Sequence, residues 1–178
     1  SPSLVHVRAV PAGENFSRRK SLSVLPQKPY TDWSRERQGD SLLRLTTSAL
    51  RLEIDLRDGH IVFRDAQGRL LNAENERSFT PYSAGGQQAY SVLQTFRPDP
   101  GESFYGLGQH QADEWDYCDR DEELYQYNTK ISVPFVVSSK GYGLLWDSYS
   151  LCRWGDPREY AQLGEVFTLY DSEGVEGA

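Results

Sequence analysis

The side chains best able to do chemistry crowd the stretch from Phe104 to Trp154. Asp113, Glu114, Asp116, Asp119, Asp121, Glu122 and Glu123 follow one another with Arg120 as the single base among them, and Trp115, Tyr117, Tyr125 and Tyr127 interleave with or follow them. Such a segment has three readings. It is a solvated acidic loop that needs no ligand, or a hard-cation site, although the spacing and glycine of an EF-hand loop are absent. The third reading is a sugar-binding loop: carboxylates take hydrogen bonds from hydroxyls, and aromatic rings stack on C–H faces while offering a polar tip. A complete glycoside-cleaving site is not expected here. It needs two rigid carboxyls ~5–5.5 Å apart for retention or ~6.5–9.5 Å for inversion, with their pKa values driven apart by their surroundings.

Neighbouring motifs offer less. Phe104-Tyr105-Gly106-Leu107-Gly108-Gln109 has two glycines at the spacing of a dinucleotide loop, but the third glycine and the following helix are missing. A turn using glycine at positive φ or close backbone approach is the preferred reading. His6, His60 and His110 form no triad or metal set, and a structural or surface role for His110 is preferred over a sugar contact. Cys118 and Cys152 lack metal-ligand spacing and would pair only if the fold brought them together. No metal and no cofactor is expected.

The elements that must position these groups read as β-strands. Leu50, Leu52, Ile54 and Leu56 alternate with Arg51, Glu53 and Asp55, the period of a half-buried strand. Asp58-Gly59 and Asp65-Ala66-Gln67-Gly68 supply tight turns into His60–Arg64 and Arg69–Leu71. Further strands are predicted at 89–96, 131–138, 143–146, 150–154 and 164–170. Pro134 demands an edge or bulge position because it has no N–H to donate. No window has helical periodicity with caps, so the expected fold is all-β, an antiparallel β-sandwich. Residues 1–40 read as an extended arm packing on it, 41–170 as the sandwich domain, and 171–178 as a polar linker to a following domain. The net charge of −7 over 178 residues argues against nucleic-acid binding, which needs a concentrated basic surface, and no apolar run is long enough to span a bilayer. The chain has no Met, so it is expected to begin after processing or truncation.

Three motifs together point to a family. Phe104-Tyr105-Gly106-Leu107-Gly108-Gln109, then Tyr127-Asn128-Thr129-Lys130-Ile131-Ser132-Val133-Pro134-Phe135, then Ser138-Ser139-Lys140-Gly141-Tyr142-Gly143-Leu144-Leu145-Trp146-Asp147 resemble glycoside hydrolase family 31. The likeness is to its N-terminal, galactose-mutarotase-like β-sandwich, and it runs from about Leu43 to Trp154. Within the family, residues 125–147 look most like α-xylosidases that trim xyloglucan, in which a protective-antigen-like domain is inserted where Asp171–Ala178 stands.

The resemblance implies a retaining double displacement by two aspartates on a (β/α)8 barrel absent from this chain. The sandwich would pack on that barrel and lend it a loop touching the α-linked xylosyl substrate. Arg120-Asp121 resembles the Arg-Asp of that loop, which makes Asp121 the first candidate. Asp119 competes because Cys118-Asp119 departs from the family pattern, and Tyr127 and Asn128 are weaker candidates. Export to the periplasm, cell surface or medium is expected from the substrate class. The alternatives are a free-standing carbohydrate-binding module presenting Trp115, Tyr117 and Tyr125, an α-glucosidase of the same family, and an aldose epimerase, for which the histidines are poorly placed. A domain that packs on a barrel should expose a large apolar patch, whereas a lectin should expose only an aromatic platform.

Overall fold

The computed structural model describes residues 1–16, 20–97, 99–111 and 114–155; the strand expected at 164–170 and the linker at 171–178 lie outside them. Among the described residues all regular structure is β: β1 Ser34–Gln38, β2 Leu42–Thr46, β3 Leu50–Asp55, β4 Ile61–Asp65, β5 Leu70–Ala84, β6 Gln87–Phe96, β7 Phe104–Gln109, β8 Glu122–Leu124, β9 Ile131–Ser138, β10 Gly143–Leu145 and β11 Cys152–Trp154. Strands β1 to β6 form a meander in chain order, β10-β9-β7 a second sheet, and β11-β8 a two-stranded ribbon. Every pairing is antiparallel, the all-β architecture that the strand pattern predicts.

In the meander, alternation is converted directly into layers. Leu52 lies opposite both Leu45 and Phe63 and is buried with Ile61 and Ala73. The opposite face carries charge: Glu53 takes Arg64 at 3.1 Å and Arg44 at 3.5 Å, and Arg44 also reaches Glu36 at 3.3 Å. The first residues of the chain are tied to the sheets. Thr47 Oγ1 donates to the Pro2 carbonyl at 2.6 Å, and Ser21 Oγ donates to Asp147 at 3.0 Å.

The second sheet corrects one expectation. Residues 104–109 form strand β7 and are not merely a turn. Gly106 pairs with Val136 and Gly108 with Ser132, so β9 bulges opposite Leu107. Pro134 falls in that bulge, which is how a proline is tolerated in the middle strand of a sheet. A Cβ on Gly106 would lie 2.5 Å from the Phe135 carbonyl oxygen, and one on Gly108 only 2.0 Å from that of Ile131. Leu107 between them has φ 62°, a conformation a branched side chain adopts only under constraint. The gain is burial: Leu107 is 1% exposed and packs with Val136 and Tyr117.

The bulge also sets which side of β9 faces out. Val136 and Ser138 are buried, whereas Ile131, Val133, Phe135 and Val137 are each between 39% and 52% exposed. Tyr105 lies beside Val137 and Leu145 beside Phe135, and both are exposed. The outward face of this sheet is therefore largely apolar and open to solvent, with Gln109 opposite Ile131 at one end.

At the hairpin of this sheet, Glu102 is buried. It accepts hydrogen bonds from Ser138 Oγ and, at 2.7 Å, from Tyr142 OH, and Lys140 Nζ lies 3.3 Å from its other oxygen. Burial, then the adjacent Glu102, raises the Tyr142 phenol well above its ordinary value.

Substituting Gly108→Ala forces a Cβ into the Ile131 carbonyl at a positive φ, and should cost about 3 kcal/mol of stability. Urea unfolding of the purified variant against wild type measures this.

Candidate functional site

The acidic segment is anchored on an apolar cluster. Phe104 and Trp154 meet edge to face with centroids 5.2 Å apart, and Leu107, Tyr117, Val136, Leu124 and Leu144 complete the cluster. Tyr117 is tied in at both backbone groups: its N–H donates to the Phe104 carbonyl at 2.8 Å, and Trp154 Nε1 donates to its carbonyl at 3.0 Å. Asp116 turns inward and accepts from the N–H groups of Phe104 and Cys118, each at 2.9 Å. Bonds from Ser103, Cys118 and Phe104 hold its carboxyl below the usual range.

From that anchor the chain turns outward. Asp119 is exposed with φ 53°, and Arg120 Nε lies 3.5 Å from Glu114. Asp121 is exposed and packs beside Gly155, where a Cβ would sit 2.8 Å from Asp121 Oδ1 and 2.1 Å from the Arg120 carbonyl oxygen. Close approach at a glycine thus fixes this turn against the end of β11. Burial then alternates along β8: Asp121, Glu123 and Tyr125 are exposed, Glu122 and Leu124 are not. Arg153, opposite Glu123 on β11, donates to its carboxylate at 2.7 Å.

The inward side of β8 carries an ion cluster. Glu122 pairs with Lys130 Nζ, and His110 Nδ1 lies 3.3 Å from the same carboxylate; the three side chains are 12%, 9% and 2% exposed. His110 Nε2 is 2.8 Å from the Leu107 carbonyl. A carbonyl only accepts, so that nitrogen carries a hydrogen. His110 is thus a buried structural group. The Lys130 ammonium also sits 5.1 Å from the Tyr125 ring centroid, and Tyr125 stacks on Tyr127 at 5.2 Å and 25°. The Lys130 N–H closes the turn on the Tyr127 carbonyl at 3.0 Å, with Asn128 exposed between them.

The candidate residues therefore fall into two groups at opposite ends of β8: Asp119 and Asp121 before it, Tyr127 and Asn128 after it. All four are exposed. Sequence reasoning missed the Glu122–Lys130–His110 cluster. Glu122 reads as one more member of an acidic run, and Lys130 meets it from a turn between β8 and β9, which no repeating pattern in the sequence marks. Cys118 and Cys152 are both free thiols. Among the described residues no group of His, Cys, Asp and Glu side chains gathers as metal ligands would.

The all-β antiparallel architecture agrees with what comparison with known proteins returns. Residues 1–154 match the glycosyl hydrolase 31 N-terminal galactose mutarotase-like domain. The chain belongs to that family. It is 36% identical over 140 residues to an α-xylosidase of Saccharolobus solfataricus, covering 74% of this chain and 19% of the relative. An uncharacterized family 31 glucosidase of Pseudescherichia vulneris is 43% identical over 72 residues, 40% of this chain and 13% of its own. Among solved structures, the family 31 α-xylosidase of Xanthomonas citri superposes with a TM-score of 0.74 at 40% identity, covering 79% of this chain and 15% of that one. The chain thus spans less than a fifth of the length of these relatives.

Replacing Lys130 by Met keeps much of its volume but leaves Glu122 charged and nearly buried without its cation. Losing one partner of a buried pair costs about 3–5 kcal/mol; because Glu122 is 12% exposed, the expected loss lies at the lower end. A double variant, Glu122→Gln with Lys130→Met, should recover part of it, and equilibrium unfolding of the set measures both.

Proposed function

We propose that this chain is the non-catalytic N-terminal domain of a retaining α-glycosidase, an α-xylosidase acting on xyloglucan-type oligosaccharides. Its nucleophile and acid–base aspartates lie on a (β/α)8 barrel outside these residues, and its acidic loop completes the substrate pocket. The observation that carries the domain role is the exposed face of Tyr105, Ile131, Val133, Phe135, Val137 and Leu145. Soluble monomers rarely leave contiguous apolar surface of this kind uncovered, and a free-standing sugar-binding module has no use for it beside its aromatic platform. The substrate class is supported by the likeness to two α-xylosidases at 36% and 40% identity. An α-glucosidase is the second reading, favoured by the likeness to the P. vulneris glucosidase.

On this reading Asp121 accepts a hydrogen bond from a hydroxyl of the terminal sugar. A carboxylate suits that task because charge-assisted bonds are about twice as strong as neutral ones, and the contact with Gly155 holds the turn ready. Asp119, on the same turn, is the next candidate, followed by Tyr127 and Asn128.

The test is kinetic, on the full-length protein, with α-xylosyl-terminated oligosaccharides and with maltose and isomaltose. Wild type should turn over the xylosides with the higher kcat/KM. Asp121→Ala should lower that value by about ten- to a hundredfold, the range of a lost charged hydrogen bond. Unchanged kinetics would remove Asp121 from the pocket, and a preference for the glucosides would overturn the substrate class.

A further inference from the structure

Strands β5 and β6 outgrow the meander they end. β4 pairs with β5 only as far as Ala73, and β6 pairs with β5 only from Glu74 to Ala84. The outer part is therefore a two-stranded ribbon, closed by Gly85 and Gly86 at φ 57° and 74°, the positive-φ pair of a tight hairpin turn. A two-stranded ribbon is marginal in water on its own and gains stability from further strands. The N-terminal arm touches this one at Tyr90 OH, 3.5 Å from Glu14. Among the described residues no strand lies on the far side of β6.

The edges of this sheet differ in kind. β1, at one edge, is five exposed residues with Arg35, Glu36 and Arg37 at its centre, charges of the kind that keep edge strands apart. In the ribbon, β5 carries Glu76, Arg77 and Pro81, which serve the same end. β6 has none of these devices. It is ten residues long, without proline or charge, and the ribbon from Ser78 to Phe96 is uncharged although 25% of the chain is charged. One ribbon face bears exposed Pro81 opposite Tyr90 and half-buried Phe79 opposite exposed Val92.

We propose that β6 pairs edge to edge with β6 of a second copy, so that the full-length protein is a two-fold dimer built on a four-stranded sheet β5-β6-β6-β5. The free backbone groups of an edge strand are a template for another strand, and a two-fold contact needs a patch complementary to itself. β6 meets that condition, because two uncharged strands bring no like charges together. A two-fold axis through antiparallel strands keeps each face on its own side, so even-numbered residues meet even-numbered ones. The register that overlaps the strands almost fully and sets Tyr90 against Val92 of the partner subunit makes an aromatic–β-branched pair. It places Ser91 on the axis, opposite its own copy.

Sedimentation of the full-length protein over a wide concentration range tests this. Wild type should be a dimer. Ser91→Lys, at an exposed position, sets two ammonium groups across the axis and should weaken the dimer at least about a hundredfold. Ser91→Glu should do the same, and an equimolar mixture of the two variants should restore the dimer, which two misfolded proteins could not do. A monomeric wild type, variants that stay dimeric, or a mixture that stays monomeric would each overturn the proposal. In a monomeric wild type, a lower unfolding temperature for Ser91→Lys would assign the β6 edge to another segment of the same polypeptide. Glycosidase activity plays no part in this readout, so the α-xylosidase reading stands or falls separately.

Discussion

Leu107 reaches the core through a backbone that its two glycine neighbours make available, and much else in the second sheet follows from that placement. With Cβ atoms at 106 or 108, β7 could not approach the Phe135 and Ile131 carbonyls, and Leu107 could not meet Val136 and Tyr117. The resulting bulge gives Pro134 a place in a central strand and fixes the register of β9. Once that register is set, Val136 and Ser138 must point in and Val133, Phe135 and Val137 must point out. A one-residue slip would reverse every one of them.

Two buried acids then determine how the loops hang on this frame. Glu102 gathers Ser138, Lys140 and Tyr142 and holds the β9–β10 hairpin to the turn before β7. Glu122 gathers Lys130 and His110 and holds the loop of Tyr125 and Tyr127 to β8. Buried pairs of this kind add little net stability compared with an apolar replacement, but removing one partner is costly. Their effect here is to fix the geometry of loops whose outer residues are exposed.

Legibility in the sequence followed burial. The β3 pattern from Leu50 to Leu56 was readable because one face of that strand is covered and the other is charged. The hairpin of β5 and β6 is longer than its apolar pattern suggests. From Pro81 to Ala84 β5 is exposed, so hydrophobicity carries no period there. β7 was hidden because Gly106 and Gly108 erase the alternation that would mark a strand. β8 was hidden because its inward residue is an acid made acceptable by a lysine on the next hairpin. The motifs of residues 104–109, 127–135 and 138–147 nevertheless pointed to the family, since they encode the bulge, the ion-pair lysine and the Glu102 hairpin. Asp119, Asp121, Tyr127 and Asn128 stand on exposed turns, where the sugar contact proposed for them leaves no mark in packing.

The central claim is that the outward apolar face of the β10-β9-β7 sheet is covered by the rest of the full-length protein. Phe135 is 39% exposed in this chain alone, and a charged residue at a truly solvent-facing position should change stability by no more than about 0.5 kcal/mol. The most direct measurement is thermal unfolding of the full-length protein carrying Phe135→Lys. If the face is covered, the substitution buries an unpaired charge and should lower the first unfolding transition by roughly 5 °C or more. A transition unchanged from wild type would mean that the face stays in solvent, and would contradict the account.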